Sequence, residues 1–496
     1  MHLKCRFRNN PGVDFTEEWV EHFRHGKGRI IGEKYGGFQK LVQFMDGNEV
    51  WIYDSQLKAQ KDIPEEKEKE ESAGKNSEVI PEEKENKAKS AGRISGKIPG
   101  VKPSRPSSQK DPDQQFYREV IEALRLGGVP QEKIFDFTCG RNKELKQITD
   151  WLSDSRGSIA IEGEYGAGKS HLINITAEKA LLNNRAVAKV EIDPRENAFN
   201  RPRNIYASIT ESFTYHCDGE TKNFDDLLEN IIVNRENPDY SIIYKNEFFR
   251  GFLRYYEIYG YDESIKDWMK GKQESLHGAG YILPKMMDTQ VSANIYSYLI
   301  STLGWICKNL LNLDGLLILF DEAEGIESGY YSVYQYRQSE NMIGGLIKMS
   351  NSEPVLMNER LKDYTGTETG LRYCGQNRQQ YPYLWMNKSH VKLLFSFVPG
   401  MISSLSDESP LTGEVKKLEV IPITDLDIYE MAELLKKIVD AYEKAYGFKT
   451  TYNPNQKLPT AKTRIFVKST VEALDLMRFH PEKDPEEFLK RYDFFC

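Results

Sequence analysis

The sequence lacks any long uninterrupted hydrophobic run. No stretch approaches the roughly 18 apolar residues that a membrane-spanning helix needs. The first residues, MHLKCRFRNN, also lack the apolar core of a signal peptide. We therefore expect a cytoplasmic protein that does not contact a membrane.

Cysteine is scarce and unpaired. The six cysteines are scattered singly, with no C-x-x-C pair and no histidine at the spacing of a zinc site. This pattern indicates reduced thiols without a metal-binding role.

An excess of positive charge is absent as well. Lysine and arginine together number 67, against 75 aspartate and glutamate residues, and the formal net charge is -8. No global cationic field attracts the protein to nucleic acid or to an anionic membrane. Any contact with double-stranded DNA must therefore be local. With 496 residues the chain is long enough for several domains.

Residues 1–60 are predicted to form a small all-β module. Short strand-like runs at 38–44 and 49–53 stand next to the turn signals Gly36-Gly37 and Asp46-Gly47. The pattern favours a five-strand SH3-like or Tudor-like β-barrel.

Residues 61–112 are predicted to be a disordered charged linker. Residues 61–90 contain ten acidic residues, seven lysines and no aromatic residue, whereas residues 91–110 contain five basic residues and no acidic one. Such a segment buries too little apolar surface to fold. The basic half offers contacts to phosphate groups, although a solvated tether is the favoured interpretation.

Residues 113–420 are predicted to form an α/β domain of the P-loop NTPase class. Continuous apolar runs at 157–162, 185–193, 316–321 and 391–398 alternate with helical stretches, which indicates a parallel sheet covered on both faces. An aromatic-rich segment, residues 200–312, is expected to be a helical insertion. Residues 421–496 are expected to form a C-terminal helical lid, which begins at the capping pattern Thr424-Asp-Leu-Asp.

The clearest motif follows the first of these runs. Residues 163–170 match G-x-x-x-x-G-K-[ST], the Walker A pattern, directly before a helical stretch. The glycines let backbone N–H groups point at phosphate oxygens, while Lys169 reaches the terminal phosphates and the Ser170 hydroxyl binds Mg²⁺. The predicted nucleotide-binding residues are Gly163, Glu164, Tyr165, Gly166, Ala167, Gly168, Lys169, Ser170 and His171.

An acidic pair stands where the third apolar run ends. Asp321 is predicted to hold Mg²⁺, and Glu322 to orient and deprotonate the attacking water as general base. Two solvent-facing acids at a strand end are the alternative. Glu324 is interpreted as a charge at a helix start rather than as a third ligand.

Two further residues are candidate sensors of the γ-phosphate. Ser396 lies in the fourth apolar run, where ATPases of the AAA+ type place a polar sensor, and Arg464 lies at the start of a predicted lid helix. A tolerated small residue in a strand and a surface helix cap are the respective alternatives. The predicted catalytic residues are thus Lys169, Glu322, Ser396 and Arg464, and the predicted metal ligands are Ser170 and Asp321.

Five segments carry a resemblance to a known family: Val129-Pro, Cys139-Gly-Arg-Asn-Lys-Glu-Leu, the 163–170 motif, Asp321-Glu-Ala-Glu and Lys462-Thr-Arg-Ile-Phe-Val. On these segments the chain from about residue 113 to residue 490 resembles the BREX-system ATP-binding family. Its members look like AAA+ ATPases of the ORC/Cdc6 type and occur with anti-phage defence genes and helicases. The resemblance implies that Gly140 and Arg141 form the box that precedes the P-loop, and that Phe137 and Thr138 border the adenine.

The resemblance also implies an ATP-hydrolysing AAA+-type protein in a DNA-directed anti-phage defence complex, with ATP and Mg²⁺ as cofactors. Implied partners are other defence-system proteins or a helicase, double-stranded DNA and further copies of the chain. Three arginines are undistinguished candidates for an arginine finger: Arg337, Arg360 and Arg372. The alternatives are a slow nucleotide-dependent switch or scaffold and a small-molecule kinase, which the Asp321–Glu322 pair disfavours.

Overall fold

The computed structural model describes residues 19–22, 26–34, 39–44, 49–53, 58–59, 112–128, 134–327, 331–359, 367–375, 380–405, 412–450 and 462–483. The chain divides into two units, Met1–Pro106 and Ser107–Cys496. Each unit is described by itself. Within the described residues, no helix is both long enough and apolar enough to cross a membrane.

The first unit contains a five-stranded antiparallel sheet. Its strands are β1 (Trp19–His22), β2 (Gly26–Lys34), β3 (Gln39–Phe44), β4 (Glu49–Tyr53) and β5 (Lys58–Ala59), in the order β4-β3-β2-β1-β5. Ile30 and Val42 face each other across β2 and β3 and are buried. Closure of these strands into a barrel stays a prediction. Residues 61–111 of the predicted linker lie outside the described residues.

The second unit contains seven strands and most of the helices. The helices are α1 (Pro112–Leu126), α2 (Asn142–Ser153), α3 (Lys169–Leu182), α4 (Pro202–Ser212), α5 (Phe224–Val233), α6 (Glu247–Tyr259), α7 (Glu263–Met269), α8 (Ala293–Asn309), α9 (Val333–Ser350), α10 (Met401–Ser404), α11 (Thr412–Lys416), α12 (Ile428–Tyr446) and α13 (Thr463–Phe479). The strands are β6 (Ser158–Gly163), β7 (Ala186–Glu191), β8 (Thr214–Cys217), β9 (Glu220–Asn223), β10 (Leu316–Asp321), β11 (Val391–Phe397) and β12 (Glu419–Ile423).

The seven strands form one sheet in the order β12-β6-β11-β10-β7-β8-β9. The first five are parallel to one another, whereas β8 and β9 join antiparallel at one edge. Two buried apolar clusters cover the two faces of this sheet, which explains why its central strands read as continuous apolar runs. The predicted α/β class with a mostly parallel sheet is confirmed, and the architecture is compatible with a P-loop NTPase.

Three strands were not predicted. Strand β12 contains Pro422, which has no N–H to donate and is tolerated because β12 is an edge strand. The predicted start of the lid at residue 421 lies inside this strand. Strands β8 and β9 interrupt the segment 200–312, which otherwise holds helices α4 to α8. Asp218 and Gly219 join them, both with positive φ (53° and 79°), as a two-residue hairpin turn requires.

Helix α1 packs against two helices that are distant from it in sequence. Its buried residues Val120, Ile121 and Leu124 join residues of α12 and α13 in one apolar cluster. The Arg125 guanidinium pairs with Asp475 of α13, and the Tyr442 hydroxyl of α12 donates to the same carboxylate at 2.7 Å. The C-terminal helices are therefore one three-helix layer with α1.

We expect Gly304→Ala to lower the free energy of unfolding by about 2 kcal/mol, because α8 approaches the start of β11 too closely for a side chain. An added Cβ would lie 2.3 Å from the Ser389 carbonyl oxygen and 2.5 Å from Val391 Cγ2. Denaturant unfolding measures the change. Gly413→Ala is the control, since no atom lies within 4 Å of its added Cβ. Equal stability of the two variants would contradict the close approach.

Candidate functional site

The loop at residues 163–170 connects the end of β6 to the start of α3. Gly166 and Gly168 have positive φ (84° and 100°), and Gly168 is the N-cap residue of α3. Only glycine adopts this backbone without strain. The loop therefore curls so that its N–H groups and the helix N-terminus face one space, which is the geometry of a phosphate cradle.

Lys169 is buried at the base of this loop, with 6% of its surface exposed. Its Nζ donates to the carbonyl of Gly163 at 2.8 Å. Ser170 and His171 follow in the first turn of α3 and, with Lys169, line the same cavity. The loop thus brings a cation, a hydroxyl and an imidazole to one wall.

The carboxyl ends of β10 and β11 place an acidic pair near this wall. The Ser396 hydroxyl donates to Asp321 Oδ1 at 2.5 Å. The Glu322 N–H lies 3.0 Å from Asp321 Oδ1 and 3.1 Å from Ser396 Oγ. Ser396 is fully buried, so its side chain fixes the orientation of the Asp321 carboxylate.

Glu322 has a left-handed backbone conformation and a raised side-chain pKa. Its φ is 55°, a left-handed conformation that costs free energy in a glutamate. The residue lines the cavity of the 163–170 loop. Burial raises the pKa of Glu322 to about 7, the Glu324 and Asp321 carboxylates add to this rise, and Lys169 opposes it. Glu324 lies in a 3-10 turn, Ala323–Glu327, and its charge acts directly on Glu322.

Helix α13 approaches the loop from the other side. The backbone N–H of Arg464 donates to the carbonyl of Gly166 at 3.2 Å. Its guanidinium donates to the Tyr165 hydroxyl at 3.0 Å and lies 5.6 Å from the centre of the Tyr165 ring. Arg464 also lines the cavity. The three-helix layer is therefore tied to the loop by this side chain.

The cavity has a volume of about 390 Å³ and a distinct apolar side. Phe137, from the segment before the loop, lines this side, whereas Thr138 is not among the described lining residues; contact of either with adenine stays a prediction. Other apolar lining residues were not assigned to the site from the sequence: Leu124, Leu126, Cys139, Leu426, Leu434 and Val467. They come from α1, α12, α13 and the segments beside α12 and α2. In the sequence, the apolar faces of those helices are the only signal for these residues.

A buried arginine supports the loop from beneath. Arg141 is 5% exposed, donates to the Ala167 carbonyl at 2.7 Å and pairs with Glu144 at 3.2 Å. Arg141 also lines the cavity. The predicted box before the loop therefore includes a residue that holds the loop backbone.

Thr138 fixes the hydrogen position on His171. The Thr138 hydroxyl donates to the Ile134 carbonyl at 2.7 Å, so its oxygen accepts from His171 Nε2 at 2.9 Å and that nitrogen carries hydrogen. Burial, aided by the Arg141 charge, lowers the pKa of His171 to about 4. The imidazole is therefore neutral at pH 7.

The candidate finger arginines lie elsewhere. Arg337 and Arg372 are exposed, and neither appears among the described residues that line the cavity. Arg360 lies outside the described residues.

The arrangement fits a nucleoside triphosphate. The glycine cradle and buried Lys169 suit phosphates, and the apolar side suits a flat base. Ser170 lines the cavity, whereas Asp321 is not among the described lining residues; both carry oxygen atoms of the kind that Mg²⁺ prefers. Within the described residues, no group of three or more His, Cys, Asp or Glu side chains is arranged to hold a metal ion.

Comparison with known proteins supports this interpretation. Residues 113–239 match the family described as BREX system ATP-binding protein BrxC/D. This match confirms the predicted resemblance to the BREX-system ATP-binding family. It contains Arg141 and the 163–170 loop, whereas Asp321, Ser396 and Arg464 lie beyond it. No curated protein matches the chain.

We expect Arg141→Leu to lower the free energy of unfolding by about 3 kcal/mol, because the Glu144 carboxylate, buried beside it, loses its cation. The double variant Arg141→Leu/Glu144→Leu should regain much of this loss. Urea unfolding gives the three values. The control is Lys308→Leu, which breaks the exposed pair with Asp314 and should change stability by at most about 0.5 kcal/mol. An Arg141→Leu chain as stable as the parent would show that the pair contributes nothing.

Proposed function

We propose that this chain binds ATP with Mg²⁺ and hydrolyses it as an AAA+-type ATPase of a DNA-directed BREX-like defence complex. The match to the BREX family implies an ATP-binding protein with other defence-system proteins as partners. Hydrolysis, the AAA+ subclass and contact with DNA are our extension of that match. The observation that carries the proposal is that Lys169 and Glu322 line one cavity.

The residues of the loop bind and orient the nucleotide. Backbone N–H groups of residues 164–170 and the Lys169 ammonium contact the phosphates. The base lies against the apolar side, near Phe137 and Leu434. His171 is neutral at pH 7, so it adds a hydrogen-bonding group but no charge to the cavity wall. Bound Mg²⁺, held by Ser170 and Asp321, would neutralise charge that develops on the terminal phosphate.

Glu322 receives the proton of the attacking water in this proposal. It lines the cavity of the 163–170 loop, which is where the proposal places the terminal phosphate and the attacking water. The hydrogen bonds of its N–H to Asp321 and Ser396 hold its backbone in the left-handed conformation. Ser396 acts here by positioning Asp321 and Glu322, and Arg464 provides positive charge from the lid.

A homo-oligomer is part of the proposal. Arg337 and Arg372 are exposed and do not line the cavity of their own chain; in this proposal one of them, or Arg360, acts in the cavity of a neighbouring copy. Such an arginine stabilises the transition state of phosphoryl transfer. The isolated chain would then resemble the alternative function, a slow nucleotide-dependent switch. Because Arg337 and Arg372 do not line the cavity of their own chain, we keep the nucleotide-dependent switch as the second candidate function.

Lys169→Ala should weaken ATP binding by about a hundredfold, because the phosphates lose their main side-chain cation. Calorimetric titration measures the affinity. Lys179→Ala is the matched control, since Lys179 lies in the last turn of the same helix α3 and does not line the cavity. If the Lys169 variant is folded and binds ATP like the control, the nucleotide site lies elsewhere.

Glu322→Gln should bind ATP as tightly as the parent and lower kcat by about a hundredfold or more, because the amide cannot accept a proton. The measurement is phosphate release at saturating ATP beside a binding titration. Glu191→Gln is the control, since Glu191 is the exposed last residue of the neighbouring strand β7 and does not line the cavity. Turnover at the parent rate would assign the general base to another residue.

A further inference from the structure

A second cavity of about 410 Å³ lies where β7 gives way to α4. It is lined by Asn200, Arg201, Arg203, Asn204 and residues 288–290, and it shares no lining residue with the cavity of the 163–170 loop. We call it the α4 cavity. Its lining consists of three amides, one hydroxyl, two arginines and one aspartate, so it is polar where the cavity of the 163–170 loop is largely apolar.

The amide of Asn200 points to a missing hydrogen-bond acceptor. Asn200 is 1% exposed, and its Nδ2 has no hydrogen-bond partner among the residues that the structure describes. Buried amide donors in folded proteins are nearly always paired. The neighbouring Asn204 follows this rule, since its Nδ2 donates to the Glu196 carbonyl at 2.7 Å. Asn200, which carries this unpaired donor, is one of the residues that line the α4 cavity.

The N-terminus of α4 carries a positively charged residue and no negatively charged one, which is the opposite of the usual preference at a helix N-terminus. Arg201 occupies the N-cap position and gives no side-chain cap, Pro202 follows, and no acidic residue lies in the first turn. Cations are unfavourable at the positive end of a helix, where unpaired N–H groups also point outward. An anion bound at this end removes both penalties.

The charges around the cavity leave one cation uncompensated. Arg203 is held by Asp288 at 2.6 Å, and half of the Asp288 side chain is exposed. Arg201 is exposed and forms no ion pair with the described residues. The cavity therefore offers a buried amide donor, a free guanidinium and a helix N-terminus together.

We propose that the α4 cavity binds a phosphate group through Asn200, Arg201 and the N-terminus of α4. This site is additional to the nucleotide site and does not depend on ATP hydrolysis. A tetrahedral oxyanion matches it because it accepts several hydrogen bonds at once from converging donors. The phosphate belongs either to the backbone of double-stranded DNA or to a free anion, and the experiment below separates these sources.

The test measures two affinities of the full chain and of three variants. Inorganic phosphate is titrated by calorimetry, and a fluorescein-labelled DNA duplex is titrated by fluorescence anisotropy at fixed salt. The variants are Arg201→Ala, Asn200→Asp, which puts a negative charge in the shape of the amide, and Arg195→Ala. Arg195 is the matched control, because it is an exposed arginine of the same segment that does not line the cavity. The 163–170 loop is intact throughout, so its contribution cancels.

We expect Arg201→Ala and Asn200→Asp to weaken phosphate binding about tenfold or more, and Arg195→Ala to change it less than about twofold. A parallel loss of duplex binding identifies a backbone phosphate, whereas a loss confined to inorganic phosphate identifies a free anion. Equal effects of Arg201→Ala and Arg195→Ala would overturn the proposal, as would a parent chain that binds neither probe. Thermal unfolding of Arg201→Ala, an exposed position, confirms that the variant is folded.

Discussion

The parallel pairing of β10 with β11 sets the positions on which the nucleotide cavity depends. Phe320 stands opposite Phe395 in the register, and the two rings stack at 5.1 Å. Asp321 and Ser396 follow by one residue each, which is why a serine hydroxyl meets a carboxylate there. A shift by one residue would turn Ser396 to the other face of the sheet. The packing of Phe320 against Phe395 in the core thus fixes the hydrogen bond between Ser396 and Asp321 at the edge of the sheet.

The buried charges around the cavity share a second constraint: each needs a partner of its own. Arg141 has Glu144 and the Ala167 carbonyl, and Lys169 has the Gly163 carbonyl. Glu322, which is only partly buried, instead shares a hydrogen bond with the Glu324 carboxyl group, and it lies in a left-handed backbone conformation beside Asp321. The Arg141 guanidinium is paired in the structure, whereas the backbone of Glu322 is strained. That contrast fits a supporting role for the first and a reactive role for the second.

The sequence predicted the features that depend on local pattern. The apolar runs, the 163–170 loop and the acidic pair at 321–322 are each contiguous, so periodicity and motif spacing find them. Strand β12 was missed because it is short and contains Pro422. The Asp218-Gly219 pair is a typical hairpin-turn signal in the sequence. It was missed because the whole aromatic-rich segment 200–312 was interpreted as helical. The apolar side of the cavity was missed because Leu124 and Leu434 meet only through tertiary packing, which one sequence does not reveal.

Helix α1 has a consequence for how the protein is made. A ribosome adds roughly 5–20 residues per second and domains begin to fold during synthesis. Helix α1 ends at Leu126, whereas its partners begin at Ile428 and Thr463. Its apolar face must therefore wait for tens of seconds, at those rates, until the last helices leave the ribosome. The apolar side of the cavity closes only after α12 and α13 have been synthesised, so translation products that stop before α12 carry the 163–170 loop without the wall that completes its cavity.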